Sequence, residues 1–314
     1  MQTCGYNHWW DALSQVRSMQ KGLKMKLYPI QRNIYITALT RAASGNAYGV
    51  VPERRKQLLQ LAKSMWYEVE PARDSDTFSS GVGACLNLCA VANEPEALTW
   101  AEELWDWANR EQFQLRDKTY SDYITVLESF RLHDRVDELL VEFRDNTSID
   151  CVFLSGVISI AAKHYDWRRA DALWEKLVTQ IGVKPQDMSY NAWSKTHLLC
   201  GRPIFAAQIL DDMFSAGLRG HDKIAADYVQ ALLLVGHSSP TPTNIGRLKQ
   251  AMETGDLLVQ TTSSKLMKQN WNRLKRVAQR LQHNPTSLML HDVLVDWKAK
   301  TQSVMKDWPD HAAG

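Results

Sequence analysis

The chain lacks any apolar run of roughly eighteen residues or more, so nothing in it reads as a membrane-spanning helix. An excess of one charge is missing too, since 37 Lys and Arg stand against 35 Asp and Glu for a formal net of +2. Proteins held by phosphate contacts carry a larger basic excess, so composition alone gives no support to nucleic acid. Cysteine is scarce and odd in number: Cys4, Cys85, Cys89, Cys151 and Cys200 lie scattered in apolar surroundings. That suits buried thiols in a reducing compartment better than a disulfide framework. Metal signatures are absent as well. Cys85 with Cys89, and His197 with Cys200, offer two ligands each where zinc needs four, or three and a water. No Gly-rich phosphate loop occurs, because Gly81 and Gly83 fall inside an apolar helical stretch. The segment from Met1 to Trp10 has neither the apolar run of a secretory signal nor the Arg/Ser bias of a transit peptide.

What the chain does have is a recurring phrase: a small apolar residue, two variable ones, an aliphatic or Met, then a bulky apolar residue. It begins at Ala62, Ala101, Val136, Ala170 and Ala206, ending in Trp66, Trp105, Leu140, Trp174 and Leu210. A spacing of about 35 residues means one supersecondary unit stacked on copies of itself. Each copy buries its apolar face only against its neighbours, which makes the array a solenoid. Trp is unusually frequent at 12 residues, and three of them close the phrase, as large core anchors would.

Helical periodicity dominates and strand-like alternation is almost absent. Leu13, Val16 and Met19 put one apolar face on a helix from Asp11 to Gly22, and a second helix is predicted over Asn33 to Ala43. Pro52 opens another, at a position where its missing N–H is not needed. From Asp74 the helices pair: Thr77–Val91 with Pro95–Arg110, Asp117–Phe130 with Asp134–Phe143, Cys151–Lys163 with Trp167–Gln180, and Met188–Leu199 with Pro203–Ala216. Short connections force antiparallel neighbours. Gly182 and Gly217 stand where a left-handed residue closes a helix, and Asp187 and Ser189 where a short acceptor caps the next one. Ala225–Val235 and Ile245–Glu253 are expected to form a degenerate hairpin, followed by longer helices over Thr261–Gln282 and Thr286–Lys306.

The unit from Asp187 to His221 carries more than a period. It opens Asp-Met-Ser-Tyr-Asn-Ala-Trp, turns at Cys200-Gly201-Arg202, and closes with Asp212-Met213-Phe214 and Ala216-Gly217-Leu218-Arg219. This resembles the pentatricopeptide repeat, whose unit opens near Thr-Tyr-Asn, turns at Gly-Arg and ends in Met, Gly and Lys-Pro-Asp. The preceding unit ends Gly182-Val183-Lys184-Pro185-Gln186, also like the family, but carries one extra residue and lacks the Tyr-Asn opening. The resemblance is P-type-like, strong over Cys151 to His221, moderate over Asp117 to Asp150, weak over Asn33 to Arg116 and absent beyond Gly236. It implies an all-α, right-handed α-solenoid of about six helix-turn-helix repeats with a helical C-terminal cap. The expected organisation is a partial N-terminal repeat over 1–28, read as a second helix whose partner lies upstream, an array over 29–236, and a degenerate repeat with cap over 237–314.

In that family the first helices line a groove, and each repeat reads one base of single-stranded RNA with its fifth and last residues. The resemblance therefore assigns base reading to Asn191 with His221, Ser155 with Gln186, and Ser121 with Asp150, the last like the family's guanine pairing. These polar residues would equally serve as helix caps. Ile36 and Ala226 take the fifth place in other units and offer no hydrogen bond. Basic residues on first helices are few: Arg32, Arg41, Lys118, Lys163 and Lys195. Acids gather on second helices at Glu102, Glu103, Asp137, Glu138, Glu142, Asp171 and Glu175, away from the groove in this family. Lys163 and Lys195 are assigned phosphate contact. So are Lys265, Lys268, Arg273, Lys275, Arg276 and Arg280, on an acid-free stretch around Trp271 that could otherwise meet an acidic partner or only solvent. The family's catalytic appendages find no counterpart, because a His-x-Glu with Cys-x-x-Cys signature is missing and no Gly follows His291-Asp292.

Two functions fit. One is an organellar protein, mitochondrial or plastid, that binds single-stranded RNA and acts in processing, stability or translation by occlusion or recruitment. The other is a non-catalytic scaffold subunit touching protein within a mitoribosome or membrane complex. Neither requires a cofactor, a metal or a small-molecule substrate.

Overall fold

The computed structural model describes residues 10–44, 52–70, 72, 74–111 and 114–218, with isolated helical positions at Ile224, Asp227, Ala231, Asp256 and Asn272. The expected C-terminal helices and cap therefore lie outside the described residues. Eleven α-helices and no strand occur among those that are described. They are α1 (Trp10–Gly22), α2 (Pro29–Ala43), α3 (Pro52–Glu68), α4 (Ser75–Ala92), α5 (Pro95–Arg110), α6 (Asp117–Ser129), α7 (His133–Glu142), α8 (Cys151–Lys163), α9 (Trp167–Trp174), α10 (Asp187–Leu199) and α11 (Pro203–Ser215).

The chain divides into two compact units, Met1–Ile149 and Asp150–Gly314. In the first unit the first helices stack side by side, α2 on α4 and α4 on α6. Their partners α3, α5 and α7 form the second layer, and α3 and α5 each also touch the next first helix. The second unit repeats the scheme, with α8 beside α10, α9 packed on both, and α11 closing on α10. Among the described residues the principal contacts run between near neighbours, as a repeat array requires.

The recurring phrase is the seam of each hairpin. Its small residue, Ala62, Ala101, Val136, Ala170 or Ala206, is fully buried in every copy. A larger side chain there would hold the paired helices apart. Trp66 and Trp105 bury almost completely, while Trp174 lies half-buried against Trp193, their rings stacked at 4.1 Å. Cys85 and Cys89 sit wholly inside, and burial pushes both thiols well above the usual range.

Three expectations are corrected. First, α2 begins at Pro29 rather than Asn33, because Pro at the first turn extends the helix backwards. Second, Asp187 and Ser189 do not precede α10. Gln186 is its cap, and the Ser189 hydroxyl inside the helix accepts from the Gln186 N–H at 3.4 Å. Third, Trp167–Gln180 is not one regular helix. Its last six residues, Glu175–Gln180, are π-helical, and this wider turn absorbs the extra residue counted in that unit. The Gly-Arg turn behaves as expected: Gly201 takes φ +72°, which lets the Arg202 N–H reach the His197 carbonyl at 2.9 Å. Gly182 and Gly217 are left-handed as well, at +88° and +80°.

Candidate nucleic-acid interface

The starts of the first helices fix which residue is fifth in each. Counting from Pro29, Ser75, Asp117, Cys151 and Asp187 gives Asn33, Ser79, Ser121, Ser155 and Asn191. Asn33 therefore replaces Ile36, which is fully buried, and Ser79 joins the set. Both were illegible without the true helix starts.

Most of these side chains turn into the stack. Asn33 donates from Nδ2 to the Thr77 carbonyl at 2.8 Å. Ser79 Oγ lies 2.7 Å from Thr119 Oγ1, and Ser155 Oγ lies 3.1 Å from Ser189 Oγ. Thr77, Thr119 and Ser189 are each the third residue of the next first helix. A hydrogen bond from the fifth residue to the third of the next first helix thus recurs at three interfaces, α2 with α4, α4 with α6, and α8 with α10. Ser121 instead bonds Ser148 in the loop after α7 and is buried beneath it.

Asn191 differs. It is half-buried, and its Oδ1 is enclosed without a hydrogen-bond partner. Asp150 is exposed and caps α8, its Oδ1 accepting from the N–H groups of Val152 and Phe153 at 2.9 Å each. That leaves one carboxylate oxygen for another partner. Gln186 is exposed at the start of α10. His221 lies outside the described residues, as do Ala226, Lys265, Lys268, Trp271, Arg273, Lys275, Arg276 and Arg280.

In the second unit Ser155 and Lys163 lie on α8 and Asn191 and Lys195 on its neighbour α10. Along α8 the exposed residues are Val152, Gly156, Ser159 and Lys163, spaced as one helical stripe. On α10 Met188 and Lys195 are exposed, with Asn191 between them in sequence. The two rows share a pattern: an apolar residue at the helix start and an ammonium group two turns or more beyond it. On the first helices of unit one, Arg32 and Lys118 are engaged within the protein. Arg32 is buried with its guanidinium 3.9 Å from the Trp66 ring centroid, and burial lowers its pKa. Lys118 is paired with the buried Asp122 carboxylate. Unit one also holds a pocket of about 540 Å³ lined chiefly by second-helix residues, among them Trp66, Tyr67, Glu103 and Trp107. None of the predicted reading or phosphate residues enters it.

The second-helix acids are not all solvent-facing. Asp171 on α9 accepts from Trp193 Nε1 at 2.7 Å and lies 2.8 Å from His197 Nε2, both on α10. Partial burial works against its charged form, yet the bonds from His197 and Trp193 outweigh that and hold the carboxyl below its usual range. Arg202 completes the cluster, stacked 3.5 Å from the Trp167 ring centroid and 3.9 Å from that of Phe205. Asp171 is therefore a structural clasp between successive hairpins.

Five antiparallel helix pairs, each stacked on the next within its unit, define a helical-repeat protein of the α-solenoid class. No family model and no curated protein sequence matches the chain. Among solved structures it is similar to the pentatricopeptide repeat protein PPR10 from maize, at 13% identity and a TM-score of 0.59 over 91% of this chain and 38% of that one. It also aligns with PPR10 in complex with an 18-nt psaJ RNA element, at 13% identity and a TM-score of 0.30, over 91% of this chain and 48% of that one. The chain has the pentatricopeptide-repeat-like solenoid fold and spans well under half the length of the PPR10 chain whose fold it shares.

Proposed function

We propose that the chain binds single-stranded RNA across the paired rows of α8 and α10, and that it acts without catalysis in organellar RNA processing, stability or translation. The observation that supports this reading is Asn191. It holds an unpartnered acceptor on the same helix as the exposed Lys195 and beside the helix that carries Lys163. A buried acceptor without a partner costs about 1–3 kcal/mol, and turning the half-buried side chain outward to meet a base N–H would remove that cost. Val152 and Met188 present apolar surface on which unstacked bases can pack. Occlusion or recruitment would then follow from holding a short strand.

A scaffold role in an organellar complex is the second reading. It is favoured by unit one, where Asn33, Ser79 and Ser121 are all buried and bonded inside the protein. Anisotropy with labelled single-stranded RNA pools at two salt concentrations separates the two. RNA binding predicts a salt-dependent affinity, lowered by Asn191→Ala at an unchanged salt slope and by Lys195→Ala with a shallower one. No binding at low salt leaves the scaffold.

A further inference from the structure

The corner between α1 and α2 combines features that neither function uses. From Ala12 to Pro52 the chain has no Asp or Glu, while Arg17, Lys21, Lys24, Lys26, Arg32 and Arg41 fall in that interval. The corner is ordered by its own backbone. The Leu23 N–H bonds the Met19 carbonyl at 2.9 Å, Lys24 takes φ +51°, and the Met25 N–H returns to the Gln20 carbonyl at 3.0 Å. Leu27 is buried beneath it, and Arg17 is buried on one side of α1, paired with Glu68 at the end of α3. What remains faces outward. Met19 is 64% exposed, Leu23 68%, Met25 57%, Tyr28 57% and Ile30 62%. Lys21, Lys24 and Lys26 are exposed between them.

We infer that this corner is a membrane-surface contact that docks the protein peripherally on an anionic bilayer. Five large apolar side chains within a dozen residues leave an apolar patch of the kind that marks an interaction site. A protein partner flat enough to cover it would have to desolvate three ammonium groups at the same time. At a bilayer that conflict disappears. Met, Leu and Ile enter the acyl boundary while the lysine stems run alongside and keep their charges among the headgroups. Tyr28 suits the same depth, with an apolar ring and a polar tip. RNA is the poorer occupant, because five large apolar side chains crowd this corner where α8 and α10 expose one each, and phosphates gain nothing from that excess. Each lysine beside an anionic surface strengthens binding by roughly five- to tenfold. The corner belongs to a different unit from the α8 and α10 rows, so membrane docking and RNA binding can each fail without the other.

The test is flotation of the full chain with vesicles of phosphatidylcholine alone and of equal parts phosphatidylcholine and phosphatidylglycerol. Binding is expected to the anionic vesicles, weakening with salt, and to be marginal on the neutral ones. Reversing Lys21, Lys24 and Lys26 to Glu lowers partitioning by on the order of a hundredfold or more. Replacing Leu23, Met25 and Ile30 by Ser lowers it at least tenfold, and both variants keep their helical circular dichroism and their RNA affinity. A Leu23→Trp variant adds a readout that does not depend on loss, since the emission it adds to that of the parent chain shifts to the blue on anionic vesicles. Equal binding to both vesicles, unaltered binding by the Ser variant, or added emission that stays unshifted in the Leu23→Trp variant overturns the inference. A dimer that the Ser variant dissociates overturns it too, in favour of a second copy covering the patch.

Discussion

Ser79 Oγ and Thr119 Oγ1 stand 2.7 Å apart across two first helices, and Ser155 repeats the pairing with Ser189 at 3.1 Å. Within each unit the fifth residue of one repeat thus helps hold the third residue of the next. Ser79 Oγ also accepts the Arg116 N–H at 2.8 Å, so one hydroxyl ties α4 to the entry of α6. Ser79→Ala should therefore destabilise the chain by about 1–3 kcal/mol, since it strands the Arg116 N–H, while the Thr119 hydroxyl keeps its bond to the carbonyl of position 79 at 3.2 Å. Urea denaturation measures this. RNA affinity should be unchanged, because Ser79 is fully buried.

Glycine substitutions should divide by place. A Cβ on Gly81 would come within 2.7 Å of Asn33 Oδ1 and 3.0 Å of both Arg32 Nη2 and the Trp66 ring, while one on Gly83 would lie 2.8 Å from Asp122 Oδ2. Ala is the better helix former by about 1 kcal/mol, but overpacking costs about 1–3 kcal/mol, and at Gly81 three crowded neighbours decide the sign. Gly81→Ala should lower the unfolding midpoint. Gly156 on α8 meets nothing within 4 Å, so Gly156→Ala should raise it. Thermal melts of the two variants moving in the same direction would contradict this account.

Asn191 should trade stability against binding. Its enclosed Oδ1 has no partner, so Asn191→Ala is expected to leave unfolding free energy unchanged or raise it by up to about 1 kcal/mol. The same variant should weaken single-stranded RNA binding. Lys163→Ala and Lys195→Ala should each reduce the salt slope by about 0.7 while leaving the fold intact. A loss of affinity that merely follows a loss of stability would remove the functional assignment.

Two carboxylates should pull the pH profile in opposite directions. Burial raises the Asp122 pKa, with Lys118 offsetting it only in part. Its charge is thus a penalty present at neutral pH and relieved as pH falls through the raised value, so Asp122→Asn should be neutral or stabilising at pH near 7. Asp171 runs the other way, because its folded pKa lies below the unfolded one. Its contribution is full above the ordinary carboxylate range and lost as pH falls through the depressed value. Asp171→Asn should cost about 1 kcal/mol at neutral pH, discounted because the carboxylate is partly exposed. Denaturation of both variants between neutral and acidic pH is the measurement.

The repeat seam could be read from the chain because a small residue followed by two large ones must recur wherever paired helices touch. Helix starts were read less well, as Pro29 and Gln186 show, since caps depend on which backbone groups remain free. The state of the fifth residues was hidden for a deeper reason. Whether Ser79 or Ser155 is free depends on Thr119 or Ser189, some 34 to 40 positions away, and on the register at which two helices meet. No local pattern contains that register. The contacts of Arg32 with Trp66, and of Asp171 with Trp193 and His197, are hidden from the sequence by the same cause.

The widened turn at Glu175–Gln180 has a consequence for how such arrays change length. A surplus residue swallowed inside an outer helix displaces no neighbour, so Trp174 keeps its stacking on Trp193 and α10 begins where the wall needs it. Insertions in that layer are silent to the inner wall, whereas one residue gained within α8 or α10 would rotate every side chain beyond it out of its row.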